Sequence, residues 1–163
     1  MARRTFFSFH YDRDVWRANE VRNSWLTQDR EAAGFFDAGL WEESKNKGDE
    51  AIKKLILQGL ENTSVTAVLI GAKTSEREYV RFEIIESYNR GNGLLGVYIH
   101  SLGNRLGQAD ARGQNPLENV WLNKPEGRKV YFSSLYPTYD WVRDNGYANF
   151  GVWVEKAARA AGR

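Results

Sequence analysis

The stretch Ser64-Val65-Thr66-Ala67-Val68-Leu69-Ile70-Gly71 constrains this chain more than any other. A β-branched apolar run without polar alternation is a strand buried on both faces. Such strands belong to parallel sheets covered by helices on each side. The flanking segments agree with this. Upstream, Asp49 to Leu60 sets Ile52, Leu55, Ile56 and Leu60 on one helical stripe, with Asp49 at the N-cap position. Downstream, Thr74 or Ser75 can cap a helix reaching Arg90, which Gly91-Asn92-Gly93 terminates. Leu94 to Ile99 is then a further buried strand, ending at His100.

Outward from this centre the alternation continues. Thr5 to His10 reads as an aromatic-rich first strand, and Arg13 to Leu26 carries Val15, Ala18, Val21, Arg22 and Trp25 near helical spacing. Gly34 to Ala38 reads as a short second strand and Glu42 to Asp49 as a polar loop. Lys129 to Ser133 is the candidate last strand, and Tyr139 to Ala161 the closing helix, interrupted near Asn145-Gly146. Strands separated by helices require right-handed crossovers, hence an α/β fold with helices on both faces of a parallel sheet. Five strands give the flavodoxin-like, doubly wound order 2-1-3-4-5. Ser101 to Arg128, which holds glycines and two prolines, matches no element, and a loop that long is usually functional or mobile. No repeat or linker divides the chain, so residues 1–163 read as a single domain.

Composition excludes several classes of function. The 23 basic and 21 acidic residues nearly balance, which speaks against a nucleic-acid footprint. No apolar run approaches the ~20 residues that span a bilayer. The basic start Met1-Ala2-Arg3-Arg4 leads into an apolar stretch too short for a signal peptide. The absence of cysteine removes disulfides, thiolate metal sites and cysteine nucleophiles, and leans the reading toward the cytoplasm. Six tryptophans are read first as core filler and second as stacking surfaces for a nucleotide.

Ligands of open parallel sheets bind outside the carboxyl ends of the strands, where loops and helix N-termini converge. Ser8, His10 and Tyr11 fall on that edge, as do Asp37, Trp41, the stretch 71–74, His100 and Ser101. Both histidines of the chain land there, although each is also an ordinary strand-end residue. No G-x-G-x-x-G follows the first strand and no Walker loop is present. His10-Tyr11-Asp12-Arg13-Asp14 stands where a flavodoxin would carry a Ser/Thr-rich phosphate loop. Two histidines without helical pairing do not make a zinc site. Asp12 and Asp14 resemble the acidic pair of a receiver domain, but Gly71-Ala72-Lys73 lacks the acceptor aspartate. What remains is Glu83, set in Tyr79-Val80-Arg81-Phe82-Glu83-Ile84-Ile85 and one helical turn from Tyr79. A carboxylate among apolar neighbours is a candidate catalytic group. By the residues alone, a glutamate paired with Arg81 or Arg90, or simply solvated, is the heavier reading.

Four blocks then change the balance. Arg4 to Tyr11, Phe36 to Glu42, Thr63 to Gly71 and Tyr79 to Ile84 resemble the prokaryotic TIR-like family, above all its Thoeris antiphage members. Leu135 to Val142 resembles the end of those members, and the likeness is weakest across Ser101 to Arg128. The resemblance implies a flavodoxin-like TIR fold and an enzyme that takes NAD+ as substrate, with no further cofactor and no metal. It implies release of nicotinamide and cyclisation of ADP-ribose into a signalling nucleotide read by a separate effector. It also implies homo-oligomers on activation, with neither nucleic acid nor membrane as partner. The family's catalytic glutamate follows an aromatic residue, usually Trp, by four positions; this pattern maps onto Glu83 and Tyr79. Ser8, Phe9, His10 and Asp37 are then expected to line the substrate cleft, with Phe9, Tyr11, Trp41 and Tyr79 as its aromatic shield. The alternative is a non-enzymatic TIR module that acts by assembly.

Overall fold

The computed structural model describes residues 3–26, 32–35 and 38–163. In chain order the elements are β1 (Thr5–Ser8), α1 (Tyr11–Leu26), β2 (Ala32–Ala33), α2 (Ala38–Lys47), α3 (Asp49–Leu60), β3 (Val65–Ile70) and α4 (Glu78–Asn89). These are followed by β4 (Gly93–Tyr98), β5 (Trp121–Asn123), β6 (Lys129–Tyr131), α5 (Phe132–Leu135), β7 (Thr138–Asp140) and α6 (Gly146–Ala160). The main sheet is parallel and runs β2-β1-β3-β4-β7, while β5 and β6 form a separate antiparallel ribbon.

Every residue of β3 is buried, because the sheet is covered on both sides. Phe7, Val65, Ala67, Leu69, Leu95 and Val97 face α1 and α6, where they meet Ala18, Val21, Trp25, Phe150, Trp153 and Val154. The alternate strand residues point the other way. Val68, Ile70 and Leu94 meet Val80 and Ile84 of α4, while Phe6 meets Trp41 of α2 and the Ile52, Leu55, Ile56 and Leu60 stripe of α3. Each such side chain contributes ~1.5–3 kcal/mol when fully buried, so the layered core holds the strand ends in fixed register. Among the described residues no helix is long and apolar enough to cross a membrane.

Several expectations need correction. The second strand among the described residues is Ala32–Ala33. Of the expected Gly34 to Ala38, Gly34 and Phe35 follow that strand, Ala38 opens α2, and residues 36–37 lie outside the described residues. The strand stops because Gly34 takes φ +88°, where a Cβ would run into the Phe7 carbonyl oxygen. Phe35 then turns its ring onto Phe7 and Phe9. The polar segment from Glu42 is mostly helix α2, anchored by buried Trp41 and Ser44 and closed outside by a Glu43–Lys47 pair at 2.6 Å. Gly48 caps α3, and Asp49 lies inside its first turn. The segment from Thr74 is a tight turn over Thr74–Glu76, an extended Arg77 and only then α4.

Lys129 to Ser133 does not supply the sheet's last strand. Lys129–Tyr131 pairs with β5 instead, and Thr138–Asp140 is the edge strand beside β4. Three residues suffice there because Gly96 lets Thr138 approach β4 closely. Tyr139 also stacks on Trp153 with ring centroids 4.2 Å apart. The closing helix therefore begins at Gly146 and not at Tyr139.

The long segment after His100 also has structure. It holds the turn Pro116–Asn119 and strand β5, and its first part crosses the carboxyl ends of β3 and β4. Arg17, buried in α1, donates to the carbonyls of Leu102 (2.8 Å) and Gln108 (2.9 Å) and pairs with Asp14. Arg13 pairs with Asp110 at 2.7 Å. Gly113 sits so close to the carbonyls of Gly71 and Ala72 that no Cβ would fit. This half of the edge is therefore covered.

Candidate active site

The site is built from the last residue of β1 and the first turns of α4. Along β1, Phe7 turns toward α1 and α6, so Ser8 points with Phe6 toward the α3 and α4 side. There its hydroxyl donates to Glu83 Oε1 at 2.8 Å. Ser8 is fully buried and Glu83 is only 6% exposed. One turn further along α4, the Ser87 hydroxyl donates to the Glu83 carbonyl and lies 2.6 Å from the Thr66 hydroxyl of β3. Two polar contacts thus fix the register of α4 on the sheet, one at each neighbouring strand.

Burial pushes the Glu83 carboxyl up to about 8, and the Ser8 hydrogen bond offsets part of that rise. Its partner is a neutral hydroxyl and not Arg81 or Arg90. Arg81 lies over the Trp121 ring, with its guanidinium carbon 5.9 Å from the centroid. Burial thus outweighs the Ser8 hydrogen bond and keeps the carboxyl largely protonated at neutral pH.

Phe7, Phe9, Tyr11, Gly34, Trp41, Arg77, Tyr79, Val80 and Glu83 line one narrow cleft. Its wall is a run of rings. Phe9 stacks on Tyr11 (5.9 Å), Tyr11 on Trp41 (4.9 Å), and Trp41 meets Tyr79 edge-on (6.4 Å). The Tyr79 hydroxyl does not enter the cleft chemistry. It donates to Asp49 of α3 at 2.8 Å, and that carboxylate also pairs with Lys53 at 3.0 Å. The Trp-to-Tyr departure therefore ties α4 to α3 while leaving a ring toward the cleft.

The structure brings Phe9, Tyr11, Trp41, Tyr79 and Glu83 around one cleft, with Ser8 behind the carboxyl. His10 is not among the lining residues. Its Nδ1 accepts from the Arg13 amide at 3.2 Å, and its carbonyl accepts the first amides of α1. Burial, and next the charge of Arg77, hold its imidazole below the usual range. His100 sits beyond β4 against Tyr98, with a buried Nδ1 that has no hydrogen-bond partner. Asp37 lies outside the described residues. Sequence reasoning passed over Phe7, Gly34, Val80 and Arg77. No sequence signal marked Arg77, because the helix was expected to run unbroken from Thr74.

A parallel sheet wrapped on both faces, with a buried carboxyl at its carboxyl edge, defines an α/β protein compatible with the TIR-like fold. Residues 6–104 match the family described as Thoeris protein ThsB, TIR-like domain, and the chain belongs to that family. It is similar to a Bacillus cereus (strain MSX-D12) protein named "Putative cyclic ADP-D-ribose synthase ThsB1". The two are 39% identical over 191 residues, covering 94% of this chain and all of the relative.

Proposed function

We propose that this chain is an NAD+ glycohydrolase and ADP-ribosyl cyclase. It breaks the nicotinamide–ribose bond and closes the ADP-ribose part into a cyclic isomer that signals to a separate antiphage effector. The observation that carries this reading is the Glu83 carboxyl, buried against Ser8 at the base of an aromatic cleft. Membership of the Thoeris ThsB family and the relative's name support the substrate and product. The same reading takes the sheet as the flavodoxin-like TIR order 2-1-3-4-5, residues 1–163 as one cytoplasmic domain, and NAD+ as substrate without a further cofactor.

The chemistry follows from the bond that breaks. Its electron pair leaves with nicotinamide, which departs neutral, and positive charge develops on the ribose. Ionised Glu83 stabilises that charge and the ribose hydroxyls, while Ser8 fixes the orientation of the carboxylate. The Phe9, Tyr11, Trp41 and Tyr79 rings exclude water, so that a nucleophile on the adenosine half reaches the anomeric carbon first. The nucleophile's proton passes to the Glu83 carboxylate and from there to solvent. Each turnover thus gives nicotinamide, one cyclic nucleotide and one proton. A module acting only by assembly has no use for a buried carboxyl, whose desolvation costs free energy.

Incubation with NAD+ followed by mass spectrometry tests the reading. The expected products are nicotinamide and a nucleotide lighter than ADP-ribose by one water. Intact NAD+ would overturn the reading, and ADP-ribose alone would remove cyclisation while keeping bond cleavage.

A further inference from the structure

We propose that Arg77 holds the diphosphate of the dinucleotide, an assignment that rests on NAD+ being the substrate of this cleft. Among the described residues that line the cleft, Arg77 is the single cation. The other lining residues are rings, Gly34, Val80 and a carboxyl, and none of them sets a positive charge against two negative phosphates. Arg77 precedes Glu83 by six residues, which along a helix is ~9 Å of axial rise. The backbone positions of the two residues are therefore offset along the α4 axis. A dinucleotide is likewise extended, because its diphosphate begins one ribose away from the bond that breaks.

The local backbone makes this placement possible. Arg77 is extended (φ −92°, ψ 118°), between the turn at Thr74–Glu76 and the start of α4. A helix running unbroken from Thr74 would carry the side chain around to a different azimuth. The Thr74 hydroxyl accepts the Gly71 amide at 2.8 Å and pins that turn to the end of β3.

The guanidinium is also free to exchange partners. It pairs with Asp12 at 3.6 Å, longer than the ~2.7–2.9 Å of a strong charge-assisted hydrogen bond. Asp12 is itself exposed and shared with Lys45 at 3.9 Å. Arg17 provides the contrast: it is 3% exposed and committed at 2.8–2.9 Å to Asp14, Leu102 and Gln108. Arg77 is 32% exposed and loosely held. A guanidinium presents a planar fork that matches two phosphate oxygens, so a diphosphate displaces Asp12 with a gain in geometry.

The test measures equilibrium binding by calorimetry in a Glu83→Gln background, where turnover does not consume the ligand. Arg77→Gln is expected to weaken NAD+ by about 10–100-fold, the range of a lost charge-assisted bidentate contact. Arg77→Lys, which keeps the charge and loses the fork, is expected to fall between. Nicotinamide riboside, which lacks the diphosphate, is expected to bind with and without the Arg77→Gln substitution within about twofold. Equal weakening of both ligands, or of neither, would overturn the assignment while leaving NAD+ as substrate. If the protein with Arg77 intact does not bind NAD+, the substrate reading falls and the assignment falls with it.

Discussion

Glu83→Gln is expected to slow nicotinamide release from NAD+ by about 10³-fold, with KM changed by less than about threefold. Glutamine has the shape of glutamate, and its amide oxygen can still accept the Ser8 hydroxyl across the 2.8 Å contact. The ring wall from Phe9 to Tyr79 does not touch the exchanged atom, so substrate packing persists. What disappears is the negative charge available when the ribose becomes cationic. Removing one preorganised electrostatic partner costs ~10²–10³ in rate where it has been measured, and a full charge in a water-poor cleft lies at the upper end. Steady-state nicotinamide release by the two proteins at pH 8 checks this. Equal rates would remove Glu83 from the mechanism.

The same substitution is expected to stabilise the protein, and more so at high pH. In the folded chain Glu83 keeps its proton up to about 8, against an ordinary value of 4.5. Between those values the unfolded chain is ionised there and the folded chain is not. Stability therefore falls as pH rises from 4.5 through about 8. The loss is on the order of 5 kcal/mol when the whole interval is crossed. Glutamine does not titrate and escapes it. Near pH 5 the two proteins should melt within a few degrees of each other, while at pH 8 Glu83→Gln should melt on the order of 10 °C higher. Thermal unfolding at the two pH values measures this, and a difference independent of pH would contradict it. A residue that lowers stability in the resting protein is what a site kept for chemistry predicts.

How much of this could be read in the sequence varied with the physics of each element. Strands β3 and β4 and helix α3 were legible because burial on both faces, or on one stripe, writes itself directly into residue type. The edge strand β7 was not. Thr138-Tyr139-Asp140 carries no strand pattern, and it forms through pairing with β4 and the stacking of Tyr139 on Trp153, which involve residues far apart in the chain. Lys129–Tyr131 looked like the better strand and became half of a two-stranded ribbon. Helix α2 hid behind its polar composition, since Trp41 and Ser44 are its only buried side chains from Trp41 onward. At the site, the shared face of Tyr79 and Glu83 was legible from their spacing of four. The partner of Glu83 was harder to see, because Ser8 lies 75 residues away, and nearby Arg81 and Arg90 were the obvious candidates. Arg77 escaped notice because the break before α4 depends on Thr74 holding the Gly71 amide, a contact that composition does not show.

Glu83 is a buried carboxyl that holds a proton at rest and must lose it to work. The pH dependence of kcat/KM for NAD+ tests this most directly, because that ratio reports the ionisations of the free enzyme. Burial, and next the charge of Arg77, hold the His10 imidazole below its usual range, on the acid side of the Glu83 step. The expected profile rises about tenfold per pH unit and levels off above about 8, where the Glu83 carboxyl ionises. A profile that is flat between pH 6 and 9, or one that falls as pH rises, would contradict the central role given to Glu83.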